Sequence, residues 1–201
     1  MLVWLNSIRT GLDIYLILAI PMAVVYGVVS CATYGKIKIT RFLITQAFIA
    51  YMSCVFALVF LPFPESMGAM KAGYEAQLIP FYFIADIIKN PVPAAVLVVV
   101  FNIVMTIPFG MFLRYYTECS FKKTVLYGLM LSLFIETVQF TGVFFLLPGS
   151  FRLFDVDDLI CNALGAGLGY LIFEVLTENV YRAKVRLLET LKQPKVRREY
   201  I

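Results

Sequence analysis

The chain contains no histidine among its 201 residues, one tryptophan, and few charges, with 17 basic and 13 acidic side chains. Without an imidazole there is no Ser-His-Asp or Cys-His nucleophile pair, no HExxH zinc site and no phosphohistidine intermediate. A Walker-type phosphate loop, a GxGxxG turn and a nucleophile elbow are also missing from the sequence, so nucleotide binding and serine hydrolysis lack their usual residues. Any chemistry must run on carboxylates, amides, hydroxyls, arginine or thiols. Charged residues make up 15% of the chain and apolar ones 61%, with a mean hydropathy of +0.86. Both shares lie outside the usual range of a soluble domain, where about 25% charged and 45–50% apolar is normal, so the chain reads as an integral membrane protein.

Apolar stretches of about 20 residues set the architecture. Five can be cut, at residues 12–33, 42–61, 93–113, 124–147 and 159–176, which predicts an all-α polytopic bundle of about five transmembrane helices in one domain, residues 1–176. The first stretch lacks a basic leader and an A-x-A cleavage site and is too apolar over too long a run for a signal peptide, so it is kept as a span. The four cysteines, Cys31, Cys54, Cys119 and Cys161, show no CxxC and no secreted-type spacing and are expected to be free, packed thiols.

Basic residues near span ends stay cytoplasmic. An inside C-terminus puts Lys36, Lys38, Arg41, Arg114, Lys122, Lys123 and the seven basic residues from Arg182 to Arg198 in the cytoplasm, against Arg9, Lys71, Lys89 and Arg152 outside. The expected location is the cell membrane, with the N-terminus outside. Residues 177–201 alternate basic side chains with Val185, Leu187, Leu188 and Leu191, the pattern of an amphipathic cytoplasmic helix on anionic lipid. That tail accounts for the net charge of +4, and no nucleic-acid partner is needed to explain it. The outer connection, residues 62–92, stays apolar. After Pro80, placed as a first-turn residue, Phe81, Ile84, Ile87 and Ile88 share one face, which predicts an interfacial or re-entrant helix at the outer leaflet.

A carboxylate near the middle of a span costs roughly 2.5–3.5 kcal/mol on insertion scales, so it marks a functional candidate. Glu136 is that residue, with Ser132 and Gln139 on the same helix face. Asn102 and Thr106 make a second polar stripe on the third span. The fifth span opens with Arg152, Asp155, Asp157 and Asp158 and continues to Asn162, Gly165 and Gly169. The GxxxG, with Ala163 and Gly167 beside it, lets a neighbouring backbone approach; the expected neighbour is the fourth span, and pairing of two copies is the alternative. Helix capping alone could account for the aspartates, and interhelical hydrogen bonding for single amides. Together, Asn102, Glu136, Gln139, Arg152, Asp155, Asp158 and Asn162 predict a ligand-binding site facing outward. Asp155, Asp157 and Asp158 are a weak motif for a divalent cation, lacking the glycine and spacing of a calcium loop; no resident cofactor is expected.

In order along the chain, Gln77-Leu78-Ile79-Pro80-Phe81, Asn102 with Pro108-Phe109-Gly110, Glu136-Thr137-Val138-Gln139, and Arg152 to Leu159 with Asn162-Ala163-Leu164-Gly165 resemble the VanZ-like family of bacterial membrane proteins, over about residues 45–175. Relatives often carry Asn at the position of Gln77 and a basic residue after the Pro-Phe pair, where this chain has Tyr82. The resemblance implies a role in low-level resistance to lipoglycopeptides of the teicoplanin type. Three mechanisms are compatible with the residues: a site that binds a membrane lipid or a lipoglycopeptide, with Arg152 suited to a phosphate or carboxylate; an intramembrane enzyme with Glu136 as the candidate general acid or base; and an ion-coupled transporter, for which no internal repeat is visible. With no imidazole present, binding is favoured over catalysis.

Overall fold

A computed structural model of the chain describes residues 2–61, 75–89, 93–145, 150 and 152–192. The element order is α1 (Leu2–Tyr34), α2 (Ile39–Phe60), β1 (Ala76–Gln77), α3 (Tyr82–Lys89), α4 (Pro93–Thr117), α5 (Phe121–Phe140), the single turn α6 (Gly142–Phe145), β2 (Phe154–Asp155) and α7 (Val156–Lys192). Among the described residues four helices are long and apolar enough to cross a membrane: Leu5–Tyr34, Ile39–Phe60, Ala95–Thr117 and Val156–Val185. The remaining expected span is α5, whose 20 residues hold Lys122, Lys123, Glu136 and Gln139. Its polar stripe dilutes the apolar signal that the other four carry.

The packing is inverted relative to a water-soluble bundle. The largest fully buried side chains are Gln139, Glu136, Thr106, Thr124, Ser132 and Ser150, while Ile17 and Ile20 of α1 are each 74% exposed. Leucine, isoleucine and valine gain nothing by leaving hydrocarbon, so small and polar residues take the helix contacts in a membrane and large apolar ones face lipid. The bundle has two parts. α1 lies against α2, closely enough that a Cβ on Gly11 would sit 2.5 Å from Cys54 Cα. α7 is the centre of the other part, with α4 on one side and α5 on the other.

Glycine decides which side is which. A Cβ on Gly165 would run into the Ile103 carbonyl and the Thr106 hydroxyl, one on Gly169 into the Ile107 carbonyl, and one on Gly110 of α4 into the Ala166 carbonyl. The GxxxG face therefore seats α4, not α5 as the sequence suggested, and within the described chain it is covered. α5 takes the neighbouring small-residue face: a Cβ on Gly128 would be 2.5 Å from that of Ala166, and one on Gly167 would be 3.1 Å from Val125 Cγ2. One helix thus carries two adjacent smooth faces, each used by a different partner.

Three expected boundaries shift. The fourth span was to run to residue 147, but α5 ends at Phe140 and the chain turns away through Gly142, Val143, Phe144 and Phe145, all at positive φ. α7 runs without interruption to Lys192, so up to that point the basic tail continues the helix of the last span; residues 193–201 lie outside the described residues. The loop helix begins at Tyr82, since Phe81 adopts φ 63° and leaves Pro80 in a turn ahead of it. α3 buries none of its residues, and Ile84 and Ile88 are exposed. The cysteines are all free; Cys161 is buried and Cys31 exposed, so the expectation of four packed thiols fails at Cys31.

Candidate functional site

The two polar ends of the bundle are separated by its length. At one end, Tyr116 near the close of α4 donates to the Arg41 carbonyl of α2 (2.9 Å) and hydrogen-bonds Thr45, and Arg114 pairs with Glu174 of α7. This end carries Lys36 and Lys38 of the α1–α2 turn, Arg41 at the start of α2, and Lys122 and Lys123 at the start of α5. At the other end Ser7 of α1 donates to the Leu61 carbonyl (3.1 Å), Gln139 donates to the Val59 carbonyl (2.9 Å), and α7 begins. The carboxylates gather there.

A short parallel pairing builds this end. β1 lies beside β2 in the register Ala76 to Phe154 and Gln77 to Asp155, with the Phe154 N–H donating to the Glu75 carbonyl (3.2 Å). This brings the loop over the start of α7. Asp155 is the N-cap of α7: its Oδ1 accepts the Asp157 N–H two residues on (2.8 Å), satisfying a donor that the helix itself cannot. Asp157, 4% exposed, caps a different helix. Its Oδ1 accepts the Phe81 N–H (2.5 Å) and its Oδ2 the Phe83 N–H (2.8 Å), at the start of α3. Gln77 bridges the two aspartates, with Nε2 3.4 Å from Asp155 Oδ1 and from Asp157 Oδ2.

Below the caps lies a buried hydrogen-bonded network. Glu136, 2% exposed, accepts the Asp155 N–H (3.1 Å) and lies within electrostatic reach of the Asp158 carboxyl. Asn102 of α4 donates to Asp158. Asn162 donates to Ser132 (2.8 Å), and Thr106 donates to the Asn162 carbonyl (2.8 Å). Side chains from α4, α5 and α7 therefore close one cluster: Asn102, Glu136, Asp158, Asn162, Ser132 and Thr106. The Asn162 Oδ1 is buried without a partner among the described residues.

Six of the seven sequence candidates come together. Asn102, Glu136, Asp158 and Asn162 are in the cluster, Asp155 caps it, and Arg152 is exposed but close enough to interact electrostatically with Glu136, Asp155 and Asp158. Gln139 does not join them. It shares a helix face with Glu136, yet its amide reaches α2 and fastens the two halves of the bundle. Ser150 and Gln77 complete the surroundings: Ser150, which has no local sequence signal, donates to the Arg152 carbonyl (2.5 Å), and Gln77, marked in the sequence only as part of the family motif, is held by Ile79 (2.8 Å) and meets the aspartates through a pairing across 78 residues. Among the described residues no group of three His, Cys, Asp or Glu side chains is placed to hold a metal ion. The reason is local: Asp155 and Asp157 turn toward backbone N–H groups instead of toward a shared centre.

Burial is the main influence on Asp155 and raises its pKa above the ordinary aspartate value, against the lowering effect of its hydrogen bond to Asp157. Ionising it therefore costs more in the fold than in the unfolded chain. Its contribution to stability is complete below the ordinary aspartate value and is lost as pH rises through the raised one. Asp155→Asn, which keeps a cap acceptor, should flatten this part of the pH–stability curve in detergent melts. Identical slopes for the two proteins would show that Asp155 is not the group responsible.

Comparison with known proteins places this geometry in a family. No curated protein and no solved structure matches the chain. Residues 48–177, which run from α2 through the site and most of α7, match the family described as VanZ/LLP1. The matched stretch holds every residue of the cluster and leaves out α1, the α1–α2 turn, residues 39–47 of α2 and residues 178–201, and on that match the chain belongs to the VanZ/LLP1 family.

Proposed function

We propose that the chain is a multi-pass cell-membrane protein, N-terminus outside and C-terminus in the cytoplasm, that binds the headgroup of an amphiphile at the carboxylate end of its bundle and thereby contributes to lipoglycopeptide resistance of the teicoplanin type. The observation that carries this is Arg152: an exposed guanidinium, with no side-chain hydrogen bond among the described residues, set over a buried network of carboxyls and amides. An arginine in that position offers a two-pronged grip on a phosphate or carboxylate, while Asp158, Glu136 and the free Asn162 Oδ1 below it accept from hydroxyl or amide donors. The exposed apolar face of α3, with Ile84 and Ile88, lies beside the clamp made by Asp157 and suits the hydrocarbon part of the same ligand. The distribution of basic residues supports the orientation.

Arg152→Ala should abolish the resistance that the wild-type chain confers while leaving its amount in the membrane unchanged; full resistance in that variant would remove Arg152 from the role. One observation supports a second reading, a membrane enzyme acting on a lipid or a lipid-linked cell-wall intermediate. Two carboxyls, Glu136 and Asp158, meet in the buried cluster, which has no basic side chain among its members, and a positioned carboxyl can take or give a proton as general acid–base chemistry requires. Comparison of lipid extracts from cells expressing the wild type and Glu136→Gln by mass spectrometry separates the readings: a lipid species that changes only with intact Glu136 supports turnover, and identical profiles support binding.

A further inference from the structure

At the opposite end of the bundle, α2 meets the α4–α7 pair at separated points. Tyr51 donates to the Met105 carbonyl (2.6 Å), Phe48 stacks on Phe112 with centroids 3.5 Å apart, and Tyr116 joins Thr45 and Arg41. Beside these points lies an open apolar slot of about 360 Å³, lined by Ile44, Phe48, Tyr51, Pro108, Phe112 and Phe173 among others. That is room for roughly a dozen groups of about 30 Å³, the share of one water in liquid. An apolar slot of this kind does not hold water, and left empty its walls lose dispersion contacts. In a bilayer the group that fits it is an alkyl chain.

The mouth of the slot selects among alkyl chains. Arg41 is one helical turn from Ile44, and Lys38 nearly one turn further. Their positive groups rest on aromatic rings: the Lys38 Nζ is 3.5 Å from the centre of the Tyr34 ring, and the Arg41 guanidinium carbon is 5.5 Å from Tyr34 and 6.0 Å from Tyr116. Tyr116 in turn stacks on Phe112 of the slot wall (4.5 Å). Arg114, on the same level, is neutralised by Glu174, but among the described residues no carboxylate pairs with Arg41 or Lys38. Two cations held in place without a counter-charge, at the point where an apolar slot reaches the bundle end, complement an anionic headgroup on an alkyl chain.

We propose that this slot binds one anionic glycerophospholipid, an acyl chain lying between α2, α4 and α7 and the phosphate on Arg41 and Lys38. Only the naming of the leaflet, the cytoplasmic one, rests on the orientation proposed above. The lipid would fill the gap between the two halves of the bundle, which the protein's own side chains leave open.

The test is native mass spectrometry of the full chain, titrated with phosphatidylglycerol or with phosphatidylcholine of the same chain length. The wild type should retain phosphatidylglycerol about 30-fold better, in line with roughly 1 kcal/mol for each of the two basic residues at an anionic surface. Lys38→Ala with Arg41→Ala should remove the preference, and Ala47→Trp, at an exposed position of the slot wall, should reduce retention of both lipids. Lys122→Ala with Lys123→Ala should leave retention as in the wild type, and Arg152→Ala should keep the part of the preference that Lys38→Ala with Arg41→Ala removes, so a failed slot and a failed outward site give different results. Loss of the preference with unchanged retention in Ala47→Trp would mean surface attraction without a seated chain and would overturn the proposal. Equal retention of both lipids by the wild type would overturn it as well. Melting curves of each variant show that the fold persists.

Discussion

Gly169→Leu is expected to prevent α4 from seating on α7 and to lose most of the folded protein. The cause is backbone against backbone. A Cβ at Gly169 collides with the Ile107 carbonyl, and Met111 N is 3.0 Å away; the same clash recurs one turn back between Gly165 and Ile103, and from the other helix between Gly110 and Ala166. No rotamer change relieves a clash with a main-chain oxygen, so the helices must move apart along the whole contact. Overpacking costs about 3 kcal/mol or more in such a case, set against a total stability of roughly 5–15 kcal/mol. Separation also breaks the Asn102–Asp158 and Thr106–Asn162 hydrogen bonds, which span the same interface. Gly27→Ala is the control, since nothing lies within 4 Å of a Cβ there and the change raises helix propensity by up to ~1 kcal/mol. Fluorescence-detected size exclusion and melting in detergent should show a collapsed or aggregated Gly169→Leu and an intact Gly27→Ala. A monodisperse Gly169→Leu with the wild-type melting temperature would contradict the packing described.

Most of the fold was legible because a membrane leaves few choices: apolar runs become helices, and all but one of the expected spans appear as long apolar helices at close to their expected positions. The candidate site was legible for a related reason. Polar residues inside spans are costly, so Glu136, Asn102 and Asn162 announced themselves one at a time, and helical spacing indicated which sides they occupied. Partner choice was not legible. Two small-residue faces lie next to each other on α7, and helical periodicity cannot say which neighbour takes which, so the GxxxG was assigned to the wrong helix. Gln139 shows the same limit: spacing put it on the face of Glu136, but the length of its side chain carries its amide to α2. The left-handed turn at Phe81 and the two-residue parallel pairing had no signal at all, since both are imposed by contacts with Asp157 and Asp155 more than 70 residues away. Local propensity would place neither a phenylalanine at positive φ nor a strand of two residues.

That imposed turn makes Asp157 the second residue of large effect. Asp157→Ala is expected to release residues 75–89 from the bundle while α4, α5 and α7 stay folded. A phenylalanine at φ 63° is held against a conformational cost of about 1–3 kcal/mol, and the force opposing it is one buried carboxylate that accepts both the Phe81 and the Phe83 N–H. Hydrogen bonds to a charged group contribute about 1.5–3 kcal/mol each, so their joint loss exceeds what an eight-residue helix without buried side chains can recover. The damage stays local for the same reason: α3 detaches before its strain reaches the core, and a segment cannot lose more stability than its own docking supplies. Asp157→Asn should behave almost as badly, because its amide keeps one acceptor and turns a donor toward an N–H. Asp155→Ala should cost only about 1 kcal/mol, the usual worth of a lost N-cap. Hydrogen exchange read by mass spectrometry should therefore rise in residues 81–89 of Asp157→Ala by a factor on the order of 100, equivalent to about 3 kcal/mol, with α5 and α7 still protected. Under the proposed function this variant also loses resistance, since the apolar face of α3 no longer stands beside Arg152. Unchanged exchange in residues 81–89 would show that the clamp is not what holds the loop.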